Sequence, residues 1–227
     1  DRERLDGVII DGRLERDPAG AVVAASRDAV CVGITVLTGA PIHDALAVSR
    51  AVKAAHPSMP IVWGGWHPSL LASECLAEPS VDIVVSGQGE DTFRNIVDRL
   101  IAGESVRGCE MGTMRDLNVY PAHDYSHIPV EKYFAPKGAR QIDYISSQGC
   151  RFRCAFCADP AVFARGWSGL TPERVAEEVA ALRDGGARVS GRNLLHPPAA
   201  DRSAGRRTAA ARRARFVDRH ASRRSGV

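Results

Sequence analysis

No apolar run in this 227-residue sequence approaches the ~18 residues of a membrane-spanning helix. No apolar stretch follows the opening Asp1-Arg2-Glu3-Arg4 either, so a secretory leader is not expected and a cytoplasmic setting is. An initiator methionine is missing, and residues are therefore expected ahead of Asp1. Cysteine is sparse except in one place. Cys31, Cys75 and Cys109 are scattered and read as small apolar residues, whereas Cys150, Cys154 and Cys157 crowd into one short segment. Without a leader, such a cluster points to metal binding before disulfides. From residue 188 onward there is no Ile, Tyr, Trp or Lys. That stretch holds eleven Arg and two Asp, a net of +9, against a net of −6 for residues 1–187, so the overall +3 describes neither part. What is present is apolar material for a core: 44% hydrophobic residues exclude wholesale disorder.

The first hundred residues alternate between two periodicities. Short apolar runs at 8–10, 29–36, 60–63 and 81–85 read as strands, each closed by glycine or small polar residues. Between and after them, 42–55, 68–77 and 91–102 read as helices. In the last of these, Phe93, Ile96, Val97, Leu100 and Ile101 share one face. Continuous apolar strands alternating with amphipathic helices predict an open α/β fold with a parallel sheet, Rossmann-like or flavodoxin-like. Such sheets bind ligands beyond the carboxyl ends of their strands. Here those ends read Thr35-Val36-Leu37-Thr38-Gly39, Gly64-Gly65-Trp66-His67 and Gly87-Gln88-Gly89-Glu90. Any one glycine there simply makes a turn. Three such ends together favour close approach of a large flat ligand to the backbone. His67 alone reads as a loop hydrogen-bonding residue.

The ordered set VGITVLTG, PIVWGGWHPSLL and VDIVVSGQGEDTF resembles the cobalamin-binding domain that precedes many radical SAM enzymes, over roughly residues 5–105. The resemblance implies that the strand-end loops hold the corrin ring and its nucleotide tail. By position the cobalamin contacts are Thr35, Leu37, Thr38, Gly64, Gly65, His67, Gly87 and Glu90. Gln88 stands where the family often has Glu. The family's sheet also has a strand and helix ahead of residues 8–10, and the Asp-x-His-x-x-Gly motif of other cobalamin proteins does not occur. The segment 106–140, with Pro121, Pro129 and Pro136, reads as a connector. His123 and His127 lie in it near Asp124, and read as packing or surface histidines before metal ligands.

Residues 141–147 (QIDYISS) read as a strand, followed by Gln148-Gly149 and Cys150-x3-Cys154-x2-Cys157. Three thiolates on one loop can each bind one iron of a cubane cluster, leaving the fourth iron open for catalysis. A structural zinc site wants four ligands, commonly as two pairs, and no second pair follows. Zinc, or a disulfide with one free thiol, stays an alternative on spacing alone. With Phe156 before the last cysteine, the segment resembles the radical SAM signature. That resemblance implies a 4Fe-4S cluster on Cys150, Cys154 and Cys157, S-adenosylmethionine (SAM) on its open iron, and Phe156 beside the SAM adenine. Thr171 as N-cap, Pro172 at the first helical position and early Glu173 and Glu177 predict a helix over 171–182. Strand and helix together would be the first βα unit of the radical SAM partial TIM barrel.

After that helix the resemblance stops. A barrel needs several more strand–helix units, and the text beyond residue 187 has no period-2 strand and the composition of disorder. Residues 209–217 have helical propensity. A basic arm, a localisation segment and out-of-frame translation of GC-rich DNA from near Ala187 all fit this text. The expected organisation is a cobalamin-binding domain over 1–107, a connector over 108–140, the start of a radical SAM domain over 141–187, and a disordered basic tail over 188–227. The expected function is that of a truncated radical SAM enzyme with cobalamin, 4Fe-4S and SAM, most simply a methyltransferase. It would act on a small-molecule substrate with an electron donor such as flavodoxin or ferredoxin. The alternatives are a catalytically incomplete corrinoid and Fe–S binding module and, further off, a basic-tailed nucleic-acid-binding protein. The tail lacks the aromatic interleaving of base readout.

Overall fold

The computed structural model describes residues 6–134, 138–184 and 188–192. Its larger sheet has four strands, β1 (Val32–Thr35), β2 (Ile61–Gly64), β3 (Ile83–Ser86) and β4 (Gly108–Met111), all parallel and in that spatial order. The register is fixed by Val32 opposite Ile61, Val62 opposite Ile83, and Ile83 opposite Gly108. Side chains on a strand alternate between faces. Accordingly Ile61 and Trp63 of β2 and Val84 of β3 join one core, while Val62, Ile83 and Val85 join another. Helices α1 (Pro18–Ala25), α2 (Pro41–Ala55) and α4 (Ala72–Leu76) supply partners to the first core. Helix α5 (Glu90–Ile101) supplies Ile96 and Leu100 to the second. The protein is thus an α/β sandwich with both sheet faces covered, as the apolar strands require.

Two polar groups are buried with the core and are satisfied. Trp63 Nε1 donates to Ser49 Oγ at 2.9 Å. The Asp82 carboxylate accepts from Ile61 N at 2.8 Å and pairs with Lys53 at 2.6 Å and Arg107 at 2.8 Å. Both tie the sheet to α2, and Asp82 also ties it to the segment entering β4. Helix α2 starts on Pro41, whose fixed φ suits the first turn, and the Lys53 charge in its last turn and Glu90 and Asp91 at the start of α5 complement the helix dipoles.

Several expectations need correction. Residues 8–10 form no strand: Val8 and Ile9 lie exposed, and β1 is the edge of the sheet, with a neighbour on one side. With Val8 and Ile9 exposed, this run of three apolar residues buries too little surface to fix a strand on that free edge. Residues 18–25 form α1, started by Asp17, whose carboxylate accepts from Gly20 N at 3.0 Å. The expected helix over 68–77 is two short ones, α3 (Trp66–Leu70) and α4. The sheet also runs on into the expected connector, because β4 begins at Gly108.

Beyond β4 the chain makes three short 3₁₀ turns, at Leu117–Val119, Tyr125–His127 and Val130–Tyr133. In place of the one strand expected over 141–147, β5 (Gln141–Ile145) stops short and a separate strand, β6 (Ser147–Gly149), takes in the Gln148-Gly149 expected to follow it. Helix α6 (Asp159–Val162) is short, and β7 (Trp167–Gly169) pairs antiparallel with β6. Helix α7 (Pro172–Asp184) follows, with Arg174 N donating to the Thr171 hydroxyl at 3.3 Å. Strand β8 (Arg188–Arg192) pairs parallel with β5 in full register. This last strand was not expected, since only Val189 in RVSGR is apolar. Backbone pairing with β5 forms it without help from hydrophobic alternation. The β5–α7–β8 unit is therefore one strand longer than the sequence implied. The expectations for residues 193–227, including the helix at 209–217, the basic arm and the out-of-frame origin, lie outside the described residues. No helix among the described residues is long and apolar enough to cross a membrane.

Candidate cofactor site

The carboxyl ends of β1, β2 and β3 lie side by side, and hydrogen bonds stitch their loops together. Val36 N donates to Gly64 O at 2.8 Å and His67 N to Val36 O at 3.1 Å. Thr38 Oγ1 lies 3.4 Å from His67 Nδ1. Gly65 sits where the first two loops cross with φ at +96°, and a Cβ there would stand 3.1 Å from both Thr35 Cγ2 and Val36 O. Only glycine combines that φ with that approach. Ser69 joins the third loop: its hydroxyl accepts from Gly87 N at 3.0 Å, and its carbonyl accepts from Ser86 Oγ at 3.2 Å.

Thr35, Leu37, Thr38, Gly64, Gly65 and His67 are thereby brought to one edge. Thr35, Leu37 and Thr38 are exposed, and Leu37 offers apolar surface there. Gly87 and Glu90 differ. Their loop leans against the second half of the chain, and Glu90 Oε1 accepts from Gln148 Nε2 at 3.1 Å. Ser69 and Gln148 were not singled out from sequence. A serine within WHPSL carries no periodic signal, and Gln148 stands out only as the polar residue ahead of Gly149-Cys150.

Residues 8–97 match the B12 binding domain family. The front part of the chain is thus similar to a B12 binding domain. The match falls on the sheet whose strand-end loops are described above. An uncharacterized methyltransferase of Pyrococcus horikoshii is 34% identical over 205 residues, covering 80% of this chain and 43% of that protein. The anaerobic magnesium-protoporphyrin IX monomethyl ester cyclase of Rubrivivax gelatinosus is 28% identical over 173 residues, covering 66% of this chain and 30% of its own. Among solved structures, the radical S-adenosylmethionine methyltransferase TsrM of Kitasatospora setae, with cobalamin and an iron–sulfur cluster bound, has the same fold. It aligns with a TM-score of 0.61 at 15% identity over 78% of this chain and 40% of that one. The chain thus spans less than half the length of these relatives.

Beyond the B12-binding domain, Cys150, Cys154 and Cys157 lie on one loop that leaves β6. Cys150 is half-buried, Cys154 and Cys157 are exposed, and all three thiols are free. Gly149 launches the loop at a φ of +76°, and a Cβ there would run into the carbonyl of Gly166. Cys157 N donates to Cys154 O at 3.1 Å, curling the loop back on itself. Phe156 is 93% exposed. No group of three or more His, Cys, Asp or Glu is gathered for a metal among the described residues, so the three sulfurs are not preassembled. In kind they fit an iron–sulfur cluster: three accessible soft donors on one short loop, with an aromatic beside them. Metal sites commonly close only when the metal binds. Asp159 is a poor fourth ligand, since burial pushes its carboxyl above the ordinary range, where it holds its proton more readily.

A second cluster of titratable groups holds the connector in place. The Glu178 carboxylate accepts from Arg174 at 2.7 Å, from the Tyr144 hydroxyl at 2.9 Å, and lies 3.1 Å from His123 Nδ1. Burial works against its charge, but these three partners outweigh it and hold its pKa below the usual range. Burial and the same carboxylate push the Tyr144 phenol well above its usual range. Arg174 also donates to the carbonyls of Leu117, Tyr120 and Pro121, clamping the connector onto α7. His123 is accounted for by this cluster, and His127 lies 3.4 Å from Asp124. Cys75 is buried and Cys31 half-buried in the two cores, as expected, whereas Cys109 is exposed on β4.

Proposed function

We propose that this chain is the front part of a cobalamin-dependent radical SAM enzyme whose reaction is methyl transfer to an unactivated carbon of a small molecule. The reading is carried by one juxtaposition: a three-cysteine loop launched from β6 beside the strand-end loops of a B12-binding sheet. Thr35, Leu37, Thr38, Gly64, Gly65 and His67 would hold cobalamin along the open edge, with Gly87 and Glu90 at its far side. Cys150, Cys154 and Cys157 would ligate the 4Fe-4S cluster, and Phe156 would cover the SAM adenine. Once bound, these groups supply one-electron reduction, a hydrogen-abstracting radical and a transferable methyl group. This chain's own residues bind and orient. Gly65 admits the ligand close to the backbone, Thr38 fixes the His67 ring, and Gly149 sets the direction in which the cysteine loop leaves the sheet. The electron donor is a low-potential carrier such as flavodoxin or ferredoxin, and the setting is the reducing cytoplasm, where such thiols stay free.

A second reading is a corrinoid and Fe–S binding module without catalysis. It is favoured by the cysteine loop, where Cys154 and Cys157 are exposed and no three metal-binding side chains are gathered among the described residues. Anaerobic reconstitution followed by reduction in the presence of SAM separates the two. Release of 5′-deoxyadenosine supports the enzyme. Cluster uptake with no SAM cleavage overturns it in favour of the binding module.

A further inference from the structure

The loop after β3 and strand β6, from which the cysteine loop leaves, are joined by two glutamine side chains 60 residues apart in sequence. Gln88 is 4% exposed, and both ends of its amide are used. Its Oε1 accepts from the backbone of Arg115 at 2.6 Å, and its Nε2 donates to Gln148 Oε1 at 3.3 Å. Gln148 Nε2 in turn donates to Glu90 Oε1 at 3.1 Å. The chain of hydrogen bonds therefore runs from the connector, through Gln88 and Gln148, back to the first turn of α5. Gln148 is the second residue before Cys150 and lies in β6, pinned by its pairing with Ser168 of β7. Outside this relay, the Arg115 guanidinium pairs with Asp91 at 2.5 Å and holds the connector to the same helix turn.

We propose that Gln88 and Gln148 are positioning residues that lock the cysteine loop to the corrinoid-side loop, setting the distance between the two cofactor sites. This rests on the functional reading above for what the loops hold, but not for the link itself. Two properties suit glutamine to the task. An amide donates and accepts at once, so Gln88 can serve Arg115 N and Gln148 together, and Gln148 can serve Gln88 and Glu90 together. A hydrogen bond buried at one end is also costly to break, because the remaining partner is left without water. Radical and group-transfer chemistry depends on reactants held near contact, so a relay that removes play between two sites acts on the reaction without touching substrate.

The test uses the full chain in two states. Free of iron and corrinoid, Gln148→Ala is expected to speed backbone hydrogen exchange in residues 86–90 and 147–150 by about ten-fold or more, leaving residues 61–64 unchanged. Gln148→Glu keeps the side-chain volume but loses the donor to Glu90, and is expected to do the same. Unchanged exchange at 86–90 in both variants overturns the link. Loaded with cob(II)alamin and reduced cluster, pulsed electron paramagnetic resonance is expected to give one narrow cobalt-to-cluster distance in the unaltered chain and a broadened one in Gln148→Ala. The same distribution in both overturns the positioning role. Because exchange is read without metal, a chain that builds no cluster overturns the functional reading and not the relay.

Discussion

The two halves of the candidate site are built in opposite ways. The edge of the B12-binding sheet is set by backbone: strand register, the crossing at Gly65 and the Ser69 bridges put its loops in place before any ligand arrives. The cysteine loop is set only at its root, where Gly149 leaves β6; its sulfurs are free and its Phe156 lies in solvent. The difference teaches that a site resting on main-chain geometry can be read from the fold alone. A site resting on metal–sulfur bonds has its donors in place and its geometry still to come.

The largest effect should come from removing the donors. Cys150→Ala, Cys154→Ala and Cys157→Ala together should abolish iron uptake after anaerobic reconstitution, while thermal unfolding and the cobalamin difference spectrum stay as in the unaltered chain. A shift in unfolding would mean that the thiols help to hold the fold, and the contrast between the halves would fail. Next comes the core under the sheet edge. Trp63 is 2% exposed and bonded to Ser49, so Trp63→Ala should cost ~3–5 kcal/mol in denaturant unfolding and weaken corrinoid binding with it. A cost below ~1 kcal/mol would show that the sheet is not the rigid partner described here.

Acid should reveal the connector clamp. The pKa of Glu178 in the folded chain is depressed, so its contribution to stability is present above the unfolded glutamate value of ~4.3 and is lost as pH falls through the folded value. Stability should therefore drop on acidification through and below that range. In Glu178→Gln that component should be absent, with cobalamin binding at neutral pH unaltered. Equal acid sensitivity in both would place the titrating group elsewhere. The smallest effect should come from the exposed Arg94–Asp98 pair on α5, where Asp98→Ala should change stability by no more than ~0.5 kcal/mol and alter neither site.

Much of the B12-binding half was legible, because long periodic segments carry their own signal. The helix over 42–55 is found at Pro41–Ala55, and that over 91–102 at Glu90–Ile101. What escaped were elements whose cause is tertiary. The run at 8–10 has strand composition, but Val8 and Ile9 lie exposed and bury too little to fix a strand. The sequence GCEM forms β4 because β3 offers a free edge, and RVSGR forms β8 because β5 does. Helix α1, in PAGAVVAA, has no polar face to give it a readable period. In the site, glycines and cysteines were visible because their chemistry shows in residue type. Ser69 and Gln148 were not, since a hydroxyl or amide matters only once the fold decides what lies opposite.

The central claim is that one chain carries a B12-binding sheet and, beside it, a three-cysteine cluster site. The most direct measurement is the iron content and reduced-state electron paramagnetic resonance spectrum of the anaerobically reconstituted chain, with and without its three loop cysteines. The account predicts about four irons per chain and a cubane signal in the unaltered protein, with both lost in the triple alanine variant. Iron retained equally by both proteins, or by neither, would contradict it.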